Sequence, residues 1–122
     1  MSSNFLAICG PLQLQSAQQA SGRLDLAAYQ AELKIDAGSL LLEGIHQAAV
    51  RLGRTVIQGG TAANARVLPV AVQSFTQLQQ LTSQQFEVIC QAEAFGHAAR
   101  VKVSVSHAGA AVAAAELTVA LI

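Results

Sequence analysis

Glu43 stands in the run Asp36-Ala37-Gly38-Ser39-Leu40-Leu41-Leu42-Glu43-Gly44-Ile45-His46-Gln47-Ala48-Ala49, where it is the one acid after Asp36 in an otherwise apolar helical stretch. An unpaired carboxylate taken out of water is costly, and its pKa rises instead. A carboxyl group poised in that way moves protons well. His46 at i+3 and Gln47 at i+4 share a helix stripe with it. Two readings follow for the pair. Glu43 and His46 form a local catalytic acid–base couple, or His46 only hydrogen-bonds Glu43 or a neighbouring subunit. For Glu43 itself the structural alternative is a buried acid paired with Arg51. Glu43-x-x-His46 also has the spacing of a diiron ligand pair, but such sites draw carboxylates and histidines from several helices. The chain has one helix to offer, so neither a metal nor another cofactor is expected.

The helix that must position these groups is predicted from Asp36, an N-cap residue, to a stop at Gly53. Leu41, Ile45, Ala48, Ala49 and Leu52 follow the spacing of one buried face. Leu40, Leu42 and Val50 widen the stripe, which predicts a core helix. Before it, Phe5 to Leu12 reads as a first strand, and Leu12/Leu14 and Leu24/Leu26 alternate with polar residues around a turn at Ser21-Gly22. Arg54 to Ala65 reads as a mobile loop. Short strands follow, running from Val67 to Phe75, across a polar turn near Thr82 to Gln85, and then through Phe86, Val88, Cys90 and Ala92. Val101, Val103 and Val105 form the clearest half-buried strand, and Ala108-Gly109 closes a hairpin into Val112 to Ile122. One helix followed by antiparallel strands is an α+β arrangement.

The 122 residues suit a single domain, 1–122. Seven acidic and seven basic side chains balance, and no basic cluster exists to meet nucleic acid. With 11% charged and 52% hydrophobic residues, part of the surface is expected to be covered by another subunit. No apolar run approaches a membrane span of about 20 residues. The apolar start has no preceding Lys or Arg, as the first basic residue is Arg23, so a cytoplasmic protein is expected. Cys9 and Cys90 show no metal spacing and read as small core residues. His97 and His107 sit beside glycines and read as solvated turn residues.

The helix wording resembles that of the hotdog-fold 3-hydroxyacyl-acyl-carrier-protein dehydratases. Their central helix opens with Pro-Gly, runs through aliphatic residues to a catalytic acid and continues to Gln-Ala-Ala. Gly38, Leu40 to Leu42, Glu43 and Gln47-Ala48-Ala49 keep that spacing, and Ala37 stands at the proline position. The resemblance implies a hotdog fold, an antiparallel sheet wrapped around one long helix. It also implies elimination of water from a 3-hydroxyacyl thioester carried by acyl carrier protein. Glu43 would be the acid, and Gly38 the glycine whose N–H holds the thioester oxygen, with Gln47 beside the substrate. The family's histidine loop corresponds here to Tyr29-Gln30-Ala31-Glu32, which contains neither His, Pro nor Gly. Tyr29 would be a weak acid or hydrogen-bond donor, since a phenol with a pKa of about 10 is a poor base at neutral pH.

Three functions fit these observations. The first is a dehydratase subunit that shares its site in a hetero- or homodimer with another hotdog chain. The second is a hotdog acyl thioesterase in which Glu43 or Asp36 activates water or attacks the thioester. The third is a non-catalytic subunit or acyl-binding module in which Glu43 is structural.

Overall fold

Strict alternation sets the middle of the sheet. Phe86, Val88, Cys90 and Ala92 are buried between exposed neighbours, as are Val101, Val103 and Val105. A computed structural model describes residues 8–27, 36–81 and 83–122. Its elements are β1 (Gln13–Ser16), β2 (Gln19–Asp25), α1 (Ala37–Val56), β3 (Val67–Gln77), β4 (Gln85–Phe95), β5 (Ala98–His107) and β6 (Ala110–Leu121). The strands form one antiparallel sheet in the order β1-β2-β4-β5-β6-β3. The sheet curls around α1, which buries Leu40, Leu41, Ile45, Ala48, Ala49 and Leu52 against it. This is the expected α+β hotdog fold. Among the described residues no helix is long and apolar enough to cross a membrane.

The hairpin at Ala108-Gly109 forms as expected, with φ of 51° and 83° at its two central residues. Positive φ at both is the geometry that matches strand twist in a two-residue loop. Asp36 caps α1 as predicted, its side chain accepting from the Ser39 N–H.

Four boundaries differ from expectation. Ser21 and Gly22 lie inside β2, and the β1–β2 turn is Ala17-Gln18. Gly22 serves close approach instead: a Cβ there would lie 2.8 Å from Leu12 Cδ2 and 3.2 Å from the Pro11 carbonyl oxygen. Gly53 does not stop α1, which continues to Val56. It is buried against Val119, leaving no room for a side chain. The segment read as a first strand makes only the single bridge Cys9–Leu24 within its described part. Finally, Leu12/Leu14 alternation does not bury β1, whose four residues are all exposed.

The two outer strands differ in kind. β3 is eleven residues long and exposed along most of its length, with Leu68, Val70 and Val72 presented to solvent. It pairs only with β6, and two register shifts interrupt that ladder. An open edge of that length, carrying apolar side chains, is a template for another strand.

Candidate active site

The flank of α1 turned away from the sheet carries Glu43, His46 and Gln47. Glu43 is half-buried there, not enclosed in the core, and the core of the described residues holds no charged side chain. That corrects the reading of a buried acid. Eight buried positions fill one side of α1, so an acid a half-turn away reaches the rim.

Gln47 organises this flank. Its Oε1 accepts hydrogen bonds from the N–H groups of Ile8 (3.0 Å) and Cys9 (2.9 Å). Its Nε2 donates to Glu43 Oε2 at 3.2 Å. Arg51, one turn further on, donates from Nη1 to the Gly10 carbonyl at 2.5 Å. Arg51 is thus the partner of the chain segment Ile8–Gly10, not of Glu43. That segment is held from its other side by β2, through Gly10 N–H to Arg23 O (2.9 Å) and Asp25 N–H to Ile8 O (3.0 Å). Glu43 Oε1 has no hydrogen-bond partner among the described residues.

His46 does not join this network through Nε2. That nitrogen is buried and has no hydrogen-bond partner among the described residues. An unsatisfied buried ring nitrogen costs about 1–3 kcal/mol. Tyr29 lies outside the described residues.

At the N-terminus of α1, Gly38 is half-buried, with Asp36 Oδ2 3.3 Å and Gln77 Oε1 3.7 Å from the position of an added Cβ. The Asp36 carboxylate accepts from Ser39 Oγ (2.8 Å) and Ser39 N–H (3.0 Å). The Ser39 hydroxyl, then its backbone N–H, hold the Asp36 carboxyl below the usual carboxylate range, with Gly38 N–H adding a small share. The helix start thus already faces a negative charge, as its dipole favours.

The cysteines are core residues, as expected. Burial raises the Cys9 thiol pKa, a rise that the Arg51 guanidinium partly offsets, and burial with the nearby Cys9 pushes Cys90 up to about 12. Neither is a thiolate at neutral pH. His107 and His97 are exposed; His107 Nδ1 lies 3.1 Å from the Gln85 carbonyl oxygen, and its ring packs edge-on to Phe86. A depression of about 660 Å³ lies between β1 and the outer face of β2 and β4, lined by Gln13, Gln15, Arg23 and Ile89 among others, and not by Glu43.

The sequence singled out Glu43, His46, Gly38 and Gln47, and all four lie on α1. It missed the Ile8–Gly10 segment and the role of Arg51, because the partners lie about forty positions apart in the chain.

No family model and no curated protein sequence matches this chain. Solved structures do. A thioesterase from Pseudomonas aeruginosa superposes with a TM-score of 0.74 at 13% identity, covering 99% of this chain and 86% of its own. A thioesterase from Haemophilus influenzae gives 0.68 at 8% identity, covering 91% of this chain and 76% of its own. A hypothetical thioesterase from Streptococcus pneumoniae, solved with coenzyme A, gives 0.68 at 9% identity, covering 92% and 84%. At such identities the likeness is one of fold, and the fold these comparisons establish is the hotdog.

Proposed function

We propose that this chain hydrolyses acyl thioesters, with Glu43 as general base. The observation that carries the reading is the Glu43 carboxylate on the rim of α1, one oxygen held by Gln47 and the other without a partner among the described residues. In the proposed step Glu43 takes a proton from water as the water oxygen bonds to the thioester carbonyl carbon. The C–S bond then breaks, and the proton passes to the departing thiolate, giving acid and thiol. Hydrolysis needs no histidine loop, and it is the activity ascribed to several proteins of similar fold. One of them was solved with coenzyme A, which makes acyl-coenzyme A the first substrate class to test.

The working unit in this reading is a pair of hotdog chains. Gly38 and Glu43 are five residues apart, about 7.5 Å along the axis and about 140° around it. In this reading the Gly38 N–H of one copy and the Glu43 carboxylate of the other meet the same thioester. A second chain added along the β3 edge would extend the sheet and cover Leu68, Val70 and Val72. It would also offer a partner for His46 Nε2, which supports His46 as a subunit contact.

Dehydration of 3-hydroxyacyl thioesters on acyl carrier protein is the second reading, favoured by the Gly38, Glu43 and Gln47 spacing. It requires Tyr29 or a partner chain to supply what the usual histidine does. One experiment separates the two: the purified protein, its mass measured by native mass spectrometry, is given acyl-coenzyme A and 3-hydroxyacyl-carrier protein. Thiol release from the first supports hydrolysis, whereas an enoyl product from the second without thiol release supports dehydration. A protein inert on both, as a dimer and with co-expressed hotdog partners, contradicts the catalytic reading.

A further inference from the structure

We propose that the depression on the outer face of the sheet, between β1 and the β2–β4 ladder, is a binding site for zwitterionic di- and tripeptides. Arg23 takes the peptide carboxylate, Glu87 the ammonium group, and Ile89 an aliphatic side chain. These residues occupy the exposed row of each strand, on the face of the sheet opposite α1. The site is therefore independent of Glu43 and of the proposed hydrolysis.

The depression measures about 660 Å³, within the span of small-molecule sites, about 300–1,000 Å³. Its outer wall is β1 and the residues before it, and that wall is fixed. Gly10 N–H donates to the Arg23 carbonyl, Gln13 pairs with Ser21, and Gly22 admits Leu12 and Pro11 against the β2 backbone. A bulge leaves Gln15 out of the β1–β2 ladder, and Gln15 lines the depression together with Gln13. Glutamine amides both donate and accept, as peptide groups require of a partner. Ser21 and Ser106 add hydroxyl groups to the same lining.

Arg23 and Glu87 are register partners across β2 and β4, and both are exposed. Opposite charges so placed ordinarily attract and stabilise a sheet. Neither side chain makes an ion pair or a hydrogen bond among the described residues, whereas Arg100 and Glu116 on the same face meet at 3.2 Å. A second depression of about 280 Å³ opens on the Gln85 and His107 side, and Arg23 and Glu87 line both. One free cation and one free anion thus stand side by side in a groove, and a zwitterion answers both, whereas a ligand of one charge meets a like charge. Ile89 is 48% exposed in a row where Gln85, Glu87, Gln91 and Glu93 are polar. An aliphatic side chain laid on it leaves water. The volume and the Gln13 and Gln15 amides favour a peptide over a free amino acid.

Isothermal titration calorimetry of the full chain with L-alanyl-L-leucine tests the site. The expected result is saturable binding of one peptide per chain, weakened about fivefold or more when both peptide ends are blocked by acetyl and amide groups. Arg23→Gln and Glu87→Gln should each weaken the free peptide by about as much, with melting temperatures close to the parent's because both side chains are exposed. Ile89→Ala should weaken alanyl-leucine and spare alanyl-glycine, and it serves as the readout if a charge variant does not fold. No binding heat from the folded parent at millimolar peptide overturns the proposal. Equal affinity for the blocked peptide, or full affinity in both charge variants, overturns it as well. A parent that ignores the peptide while its native mass doubles, and falls back by half in Arg23→Gln, assigns the face to a second copy of the chain and also overturns it.

Discussion

The two flanks of α1 are built from the same twenty residues and do opposite things. The sheet-facing flank is dry and closely fitted: Leu41, Ile45, Ala48 and Ala49 have no measurable exposure, and Gly44 and Gly53 let strand residues approach the helix backbone. The other flank holds Glu43, Gln47 and Arg51, and its contacts are directional hydrogen bonds to main-chain groups and to one another. Apolar packing is non-directional and scales with area, so it suits holding the fold together. Hydrogen bonds to fixed backbone groups specify where an atom points, so they suit a carboxylate that must meet a reacting atom. Apolar packing and directional polar contacts are thus separated across the width of one helix, and under the proposed function substitutions on each flank should report on one property and spare the other.

The largest loss of stability is expected from the dry flank. Leu41→Ala removes a fully buried side chain between α1 and the sheet. It should cost about 2–5 kcal/mol in chemical denaturation, the range for cavities of this kind. Thiol release per folded molecule should stay near the parent's. A loss of turnover without a loss of stability would erase the distinction between the flanks.

Gly44→Ala tests how closely that flank fits. The added Cβ would lie 2.8 Å from Ile8 Cγ2 and 3.2 Å from Leu24 Cδ2. Overpacking costs about 1–3 kcal/mol, while replacing a helical glycine by alanine recovers about 1 kcal/mol. The expected net is a loss of about 1 kcal/mol, read from the same denaturation curves. A stabilised variant would show that the helix sits further from the Ile8 segment than described.

The smallest effect belongs to the helix start. Asp36 has a folded pKa below its unfolded one, chiefly because of the Ser39 hydroxyl and N–H. Its contribution is therefore present above the unfolded carboxylate range and lost as pH falls through the lower, folded value. Asp36→Ala should melt below the parent at neutral pH, and the gap should close as the pH drops below that folded value. A gap independent of pH would assign the difference to something other than the carboxylate cap.

How much of this was legible in the sequence depended on the range of each contact. The Asp36 cap, the strand alternation at Phe86 to Ala92 and Val101 to Val105, and the Ala108-Gly109 turn are local, and local pattern predicted them. Gly22 and Gly53 were misplaced because a glycine that ends an element and one that admits a neighbour look alike until the neighbour is known; the neighbours are Leu12 and Val119. Glu43 stood out by its type and spacing, but its exposure did not follow from them. The apolar run around it says that one flank of the helix is buried and does not say how much of the other flank lies at the rim. The orientation of Gln47 depends on backbone groups 38 and 39 positions away, which no helical period encodes.

Under the proposed function the polar flank of α1 is a thioester-cleaving site with Glu43 as its base. The most direct measurement is the rate of thiol release from acyl-coenzyme A by the parent and by Glu43→Gln, each checked for the same melting temperature and the same assembled mass. Turnover by the parent and a loss of about 100-fold or more in the variant are expected, the scale of a removed general base. Equal rates in two equally stable proteins would contradict it.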